Sequence, residues 1–320
     1  MAKKFLFPVL IALILGLVSP AYAQLVVTDT TGSVTPDDLA QSLAGAGVTI
    51  SNVTFTGNAQ AAGSFTGGNG IIGFPDGIIL SSGMATSVVG PNDVGNVTTD
   101  FAGAGDADLD PLTGGAGATQ DAAVLEFDFV PQGSTVSFLY VFSSDEYNEY
   151  VNSEFNDVFA FFVNGTNCAL VGGDPVSINT INNGNPFGTP PILHPELYIN
   201  NDLDDGGATL DTQMDGLTEV LTCQANVNSG ATNHMKLAIA DVSDGILDAN
   251  VFIQAGSLQA CTENCNGGGT PPPGAAPGGA LFEGSGCSLA TGPVGFPGMA
   301  FGFAWMALGG VALRLIKKSE

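Results

Sequence analysis

The spacing of apolar and polar positions changes along this chain, and each change marks a different kind of segment. Phe5 to Val18 is apolar apart from Pro8, follows Lys3 and Lys4, and ends in Ser19-Pro20-Ala21-Tyr22-Ala23. A positive start, a short apolar run and a small-x-small ending are the pattern that a signal peptidase cuts, so cleavage is expected after Ala23. A helix should follow. Thr35 suits its cap, Pro36 its first position and Asp37 with Asp38 its dipole; Leu39 and Leu43 give it an apolar stripe, and Gly45 and Gly47 end it. From there the period falls to two. Val48, Ile50, Val53 and Phe55 open the strands, and Gly77 to Ser81 is another short run. Ala122 to Val130 sets Leu125, Phe127 and Phe129 against Val124, Glu126 and Asp128, one face apolar and the other largely acidic. Val136 to Phe142 and Val158 to Val163 are apolar on both faces, as central strands are. Lys236 to Ala240 and Val251 to Ala255 close the set, with turns rich in Gly, Asn, Asp and Pro between. The expected fold is mostly β: a jelly-roll-like β-sandwich with a short N-terminal helix.

Beyond this domain the pattern breaks again. Gly267 to Gly279 is a Gly and Pro tract that cannot bury a core and serves as a spacer. From Gly284 to Leu313 no residue is charged, and Arg314, Lys317 and Lys318 follow. About 20 apolar residues span a bilayer, and a basic cluster after the span stays inside. The expected organisation is a signal peptide at 1–23, a β domain at 24–260, a linker with a Cys-containing motif at 261–291, a transmembrane helix at 292–313 and a basic cytoplasmic tail at 314–320.

Charge sharpens this picture. Between Gln24 and Leu313 the only Lys or Arg is Lys236, while 30 of the 31 acidic residues, all but Glu320, lie there. Such a body repels nucleic acid and anionic membrane surfaces and attracts divalent cations. Its densest polar constellation runs from Ser143 to Tyr150, with Asp145, Glu146 and Glu149, and is followed by Asp157; a second group is Asp241, Asp244 and Asp248. Crowded carboxylates repel one another unless protons or a cation relieve them, and hard oxygen ligands at this density suit calcium. If neighbouring strands bring the groups together, these seven residues are the candidate calcium ligands; two separate solvated loops are the alternative. Asp106 and Asp108 share the opening spacing of a calcium loop but lack its turn glycine and its final Glu, so they are weaker candidates, and Asp202, Asp204 and Asp205 read as another Asp-rich turn.

Catalysis has little support in the sequence. Only His194 and His234 occur, no Gly-x-Ser-x-Gly elbow is present, and the Cys and His spacings give no zinc site. The five cysteines of an exported chain are expected to pair, and among the three connectivities of the first four we prefer Cys168 with Cys223 and Cys261 with Cys265. Cys287 is left over, beside Gly286 and just before the apolar span.

The stretch Phe142-Ser-Ser-Asp-Glu-Tyr-Asn-Glu-Tyr-Val-Asn-Ser-Glu-Phe-Asn-Asp-Val-Phe-Ala-Phe-Phe-Val-Asn164 resembles the hallmark of the choice-of-anchor L domain family of bacterial surface proteins, as do Gly105 to Asp108, Pro175 to Asn183 and Lys236 to Asp244. The resemblance implies an extracellular domain joined to differing C-terminal sorting signals, with no established activity and no catalytic residue. Here the tail is similar to a tripartite signal, with Gly284-Ser-Gly-Cys-Ser288 as its motif and no Pro-Glu-Pro or Leu-Pro-x-Thr-Gly. The expected partners are signal peptidase, a C-terminal sorting protease acting near Cys287, the membrane through 292–313, and a surface ligand of glycan or protein; an ordinary single-span anchor with a spare Cys is the alternative. The expected function is binding or adhesion at the cell surface with structural calcium and without enzyme activity. The rival readings are a secreted polysaccharide hydrolase and a non-binding component of the envelope or matrix.

Overall fold

Period-two patterning becomes two large antiparallel sheets, beside a two-stranded one of Leu170–Val171 and Asp174–Pro175. The computed structural model describes residues 24–115, 118–186 and 191–262. The expected signal peptide, most of the linker, Cys265, Gly286, Cys287, the span and the basic tail lie outside the described residues. Among the described residues no helix is long and apolar enough to cross a membrane. All of them belong to one compact unit.

The five-stranded sheet runs in the order Val48–Thr56, Thr119–Pro131, Asn233–Val242, Val158–Val163, Thr166–Asn167. The larger, nine-stranded sheet is organised around Thr135–Ser144. On one side of that strand Ala249–Gln254 and Gln259–Cys261 pair with its two halves; on the other, Gly216–Thr218 and Leu221–Asn226 do the same. Asp76–Ser81, Ala62–Thr66 and Val26–Asp29 extend the first side, and Tyr198–Asn200 extends the second. Every pairing between these strands is antiparallel.

The two sheets share one core. Phe138, Tyr140 and Phe142 of the larger sheet pack against Phe159 and Phe161 of the smaller, with ring centroids 5.0–5.7 Å apart across the layer. Aromatic pairs at such spacings add about 0.5–1.5 kcal/mol each beyond the area they bury. Leu125, Phe127, Phe129, Met235, Leu237 and Ile239 complete the inner face of the smaller sheet. Strands with two apolar faces need a second cover, and both receive one. Val141 and Phe252, on the outer face of the larger sheet, lie under Ile71, Ile72 and Phe74; Ala160 and Ala238, on the outer face of the smaller, lie with Leu109. The acidic face of Thr119–Pro131 is relieved across the register, where His234 reaches Glu126 at 3.3 Å and Asp128 at 3.0 Å.

The helix forms over Pro36–Leu43 and buries Leu39, Ala40 and Leu43 against the shared core. Its start is reciprocally capped. The Thr35 hydroxyl accepts from the Asp38 amide at 3.2 Å, and the Asp38 carboxylate accepts from the Thr35 amide at 2.9 Å. Thr35→Ala should therefore destabilise the domain by about 1 kcal/mol, read as a lower urea midpoint with an unchanged slope.

One disulfide ties the sheets together. Cys168, just past Thr166–Asn167 of the smaller sheet, is bonded to Cys223 in Leu221–Asn226 of the larger, as preferred from the sequence. Cys261 is also disulfide-bonded.

Candidate functional site

Strand register brings the acidic segments to one end of the domain. Ser144 pairs with Ala249, so Asp145 and Asp248 continue from adjacent strands of the larger sheet. Ala240 pairs with Val158, so Asp241 and Asp157 sit at adjacent strand ends of the smaller sheet. The loop from Asp241 to Asp248 then crosses from one sheet to the other. The Asp145 amide donates to the Asp248 carbonyl at 3.2 Å, and the Val242 amide donates to Asp157 Oδ1 at 3.1 Å.

Tyr147 fixes the loop that carries Glu146. Its ring is fully buried between Phe142 and Tyr198, and its hydroxyl donates to the Ile181 carbonyl at 2.8 Å. Gly216 makes room for it, since a Cβ there would stand 2.3 Å from the ring. With the ring pinned and the Glu146 amide donating to Ser144 Oγ, the neighbouring carboxylates are drawn inside.

Burial of these acids is nearly complete. Asp241 is 0% exposed, Asp157 and Asp248 are 1%, and Asp145 and Glu146 are 2%. Several of their oxygens have no hydrogen-bond partner: both of Asp241, Asp145 Oδ1, Glu146 Oε2, Asp157 Oδ2 and Asp248 Oδ2. Asp248 is the best supported of them: the Thr99 amide donates to its Oδ1 at 2.8 Å, and the Thr99 hydroxyl and the Met84 amide also favour its charge. A buried carboxylate without counter-ion or donors costs several kcal/mol, so such a group takes up a proton or a cation.

No basic side chain supplies the missing charge. Lys236 is the only Lys or Arg among the described residues, and its ammonium lies 2.8 Å from Asp106 and 2.6 Å from Asp108. The structure thus places those two weaker metal candidates in an ion pair on the outer side of the smaller sheet. Asp121 adds further negative charge near Asp241 and Asp248, but its own oxygens accept from the Phe101 and Gly103 amides.

The proton affinities follow from this setting. Burial, then the charges of Asp244, Asp241 and Asp145, pushes Glu146 up to about 9. Burial and Glu146 hold Asp157 well above the usual carboxylate range, and burial and Asp157 do the same for Asp241 despite the Ser82 hydroxyl beside it. Asp248, with its backbone donors, rises only to about 6 under burial. Glu146, Asp157, Asp241, Asp244 and Asp248 thus form one electrostatic group. Asp145 and Glu149 adjoin this group but also another: after burial, the largest charge raising Asp145 is that of Asp215, ahead of Asp248, and those raising Glu149 are Asp202 and Asp204.

As placed, no three His, Cys, Asp or Glu side chains among the described residues are arranged to hold a metal ion by themselves. Calcium takes six to eight oxygens in loose geometry, and neutral oxygens count among them. The buried Ser143 hydroxyl and the Asn250 side-chain oxygen, both without partners, lie on the paired strands that lead into the acids.

Residues 27–259 match the family model described as the choice-of-anchor L domain. The chain belongs to that family. Choice-of-anchor L membership makes it a bacterial surface-associated protein, and the hallmark stretch from Phe142 to Asn164 holds Asp145, Glu146 and Asp157 within two strands and the loop between them. No curated protein and no solved structure matches the chain.

Sequence reasoning missed Asp215 and understated Asp202. Asp215 is a lone acid between Met214 and Gly216 and carries no local signal. Asp202 lies in a turn whose composition suits solvent, yet it is 2% exposed.

Proposed function

We propose that this choice-of-anchor L domain is a β-sandwich of jelly-roll-like form that binds a glycan or protein ligand at the bacterial cell surface and is stabilised by calcium. Glu146, Asp157, Asp241, Asp244 and Asp248 are the calcium-holding residues. The chain is exported through signal peptidase and carried by its C-terminal span, or released after a sorting protease acts near Cys287. One observation carries the calcium reading: buried carboxylate oxygens from two sheets meet without hydrogen-bond partners and without a basic residue.

Two cavities, of about 370 and 650 Å³, are lined by other residues, the first by Phe101, Asp106 and Glu126 and the second by Glu154, Asp174 and Asn179. The acids of raised proton affinity border neither, so they are not presented to a substrate there.

Calorimetry tests the reading directly. The chelator-treated full-length chain, purified in detergent, should give a saturable calcium heat, and Asp241→Asn should weaken binding by about tenfold or more, through loss of a charged ligand. Removing a buried charge should leave the metal-free variant at least as stable as the parent. A parent chain that shows no calcium heat would sink the proposal.

A further inference from the structure

Asp145 and Glu149, at the flank of the first group, have companions of their own. Asn200 pairs with Gly216 and Gly216 pairs with Ser144, so three neighbouring strands end together at the second edge of the larger sheet. Asp215 precedes Gly216 and therefore comes level with Asp145. Asp202 lies two residues past Asn200, and the Asn201 amide donates to the Asp215 carbonyl at 2.8 Å.

Each of these side chains is buried, and Asp145 and Asp202 are only half satisfied. Asp202 Oδ1 accepts from the amides of Asp204 and Asp205, at 2.7 and 3.1 Å, while its Oδ2 has no partner. Asp145 Oδ2 accepts from the Val97 amide, while its Oδ1 has none. Asn92 donates its amide nitrogen to Asp215 Oδ1 at 2.7 Å and to the Asn201 carbonyl at 2.9 Å, which leaves its own oxygen buried without a partner. Asp145 and Asp202 are each 2% exposed, Asp215 is 3% and Asn92 is 6%.

Asp215 is the common neighbour. Its charge raises Asp145, and the charges of Asp202 and Glu149 raise Asp215 itself, which burial first pushes up, to about 7 in all. The unpartnered atoms are oxygens alone, from the Asp145 and Asp202 carboxylates and the Asn92 amide, with no basic side chain among them. Water can satisfy an isolated acceptor, but it does not neutralise several carboxylates at once; a hard divalent cation does both.

We propose that the domain holds a second calcium ion, seated by Asp145, Asp202 and Asp215, with the Asn92 side-chain oxygen and Glu149 completing its shell. The proposal rests on the calcium reading above but uses different side chains, and Asp145 is the residue that adjoins both groups. Two ions on either side of Asp145 would brace the hallmark loop from both flanks.

Counting bound calcium on the full-length chain in detergent separates the two sites. The parent should bind two ions. Asp202→Asn and Asp215→Asn, made separately, should each retain one, and Asp241→Asn should retain the other. Both Asn variants keep the shape of the carboxylate, and an unchanged circular dichroism spectrum for either one makes its count decisive. A parent that binds a single ion, kept by Asp215→Asn and lost in Asp241→Asn, overturns the second site and leaves the first standing. A parent that binds none overturns both.

Discussion

Chelating calcium should lower the melting temperature, and the loss should grow as pH rises. Without a cation the buried acids of the folded protein hold protons that the unfolded chain releases at the ordinary carboxylate value. Groups whose folded proton affinity is raised contribute stability that is complete at low pH and disappears as pH climbs through their folded values. Here those values are about 6 for Asp248, about 7 for Asp215 and about 9 for Asp145 and Glu146. Each extra proton held by the folded state costs about 1.4 kcal/mol per pH unit above the unfolded value. The chelated protein should therefore melt progressively lower between about pH 5 and 9. Surface acids such as Asp110 and Asp128, held low by Thr119 and by Asn52 with His234, act in the opposite sense and below that window.

Calcium reverses the slope by taking the place of the protons. At a hundredfold excess over its dissociation constant a ligand stabilises by about 2.7 kcal/mol, or about 5–10 °C in a domain of this size. The difference between calcium and chelator should thus be small near pH 5 and widest near pH 9. Thermal melts in matched buffers across that range give the comparison. Curves that coincide and stay flat across the range would mean that neither protons nor calcium relieve the cluster.

The second large effect is predicted for the disulfide between the sheets. Cys168 and Cys223 are 55 residues apart, and closing a loop of that length in the unfolded chain is worth about 4 kcal/mol. Replacing both with Ala should lower the melting point by about 8–16 °C. The double substitution is the cleaner probe, because a reductant would also open the bond at Cys261. A shift of less than about 2 °C would show that packing of Phe138, Tyr140, Phe159 and Phe161 holds the sheets in register without the crosslink.

Much of the architecture was legible because strand and helix signals are local. The runs at Val136 to Phe142 and Val158 to Val163, apolar on both faces, form strands with both faces covered, and the helix starts at Pro36 behind its Thr35 cap. Other strands had no such signal. Val26–Asp29, Ala62–Thr66 and Tyr198–Asn200 are short or rich in small and polar residues, and they exist because a neighbouring edge offers them hydrogen bonds. The same limit applied to the acids. Asp202 resembled any solvated turn, and Asp106 and Asp108 resembled a cation loop until Lys236, from a strand far along the chain, proved to lie between them.

The sequence alone determined a mostly β domain with a single basic residue in a strongly acidic body, a capped helix near its start and the hallmark of a surface family. Periodicity, capping and net charge are properties of neighbours along the chain, so a linear reading reaches them. Tertiary structure decided which carboxylates lose water, which meet across two sheets, and which two find Lys236. Those outcomes depend on register between distant strands, and register is set by burying apolar faces rather than by the acids themselves.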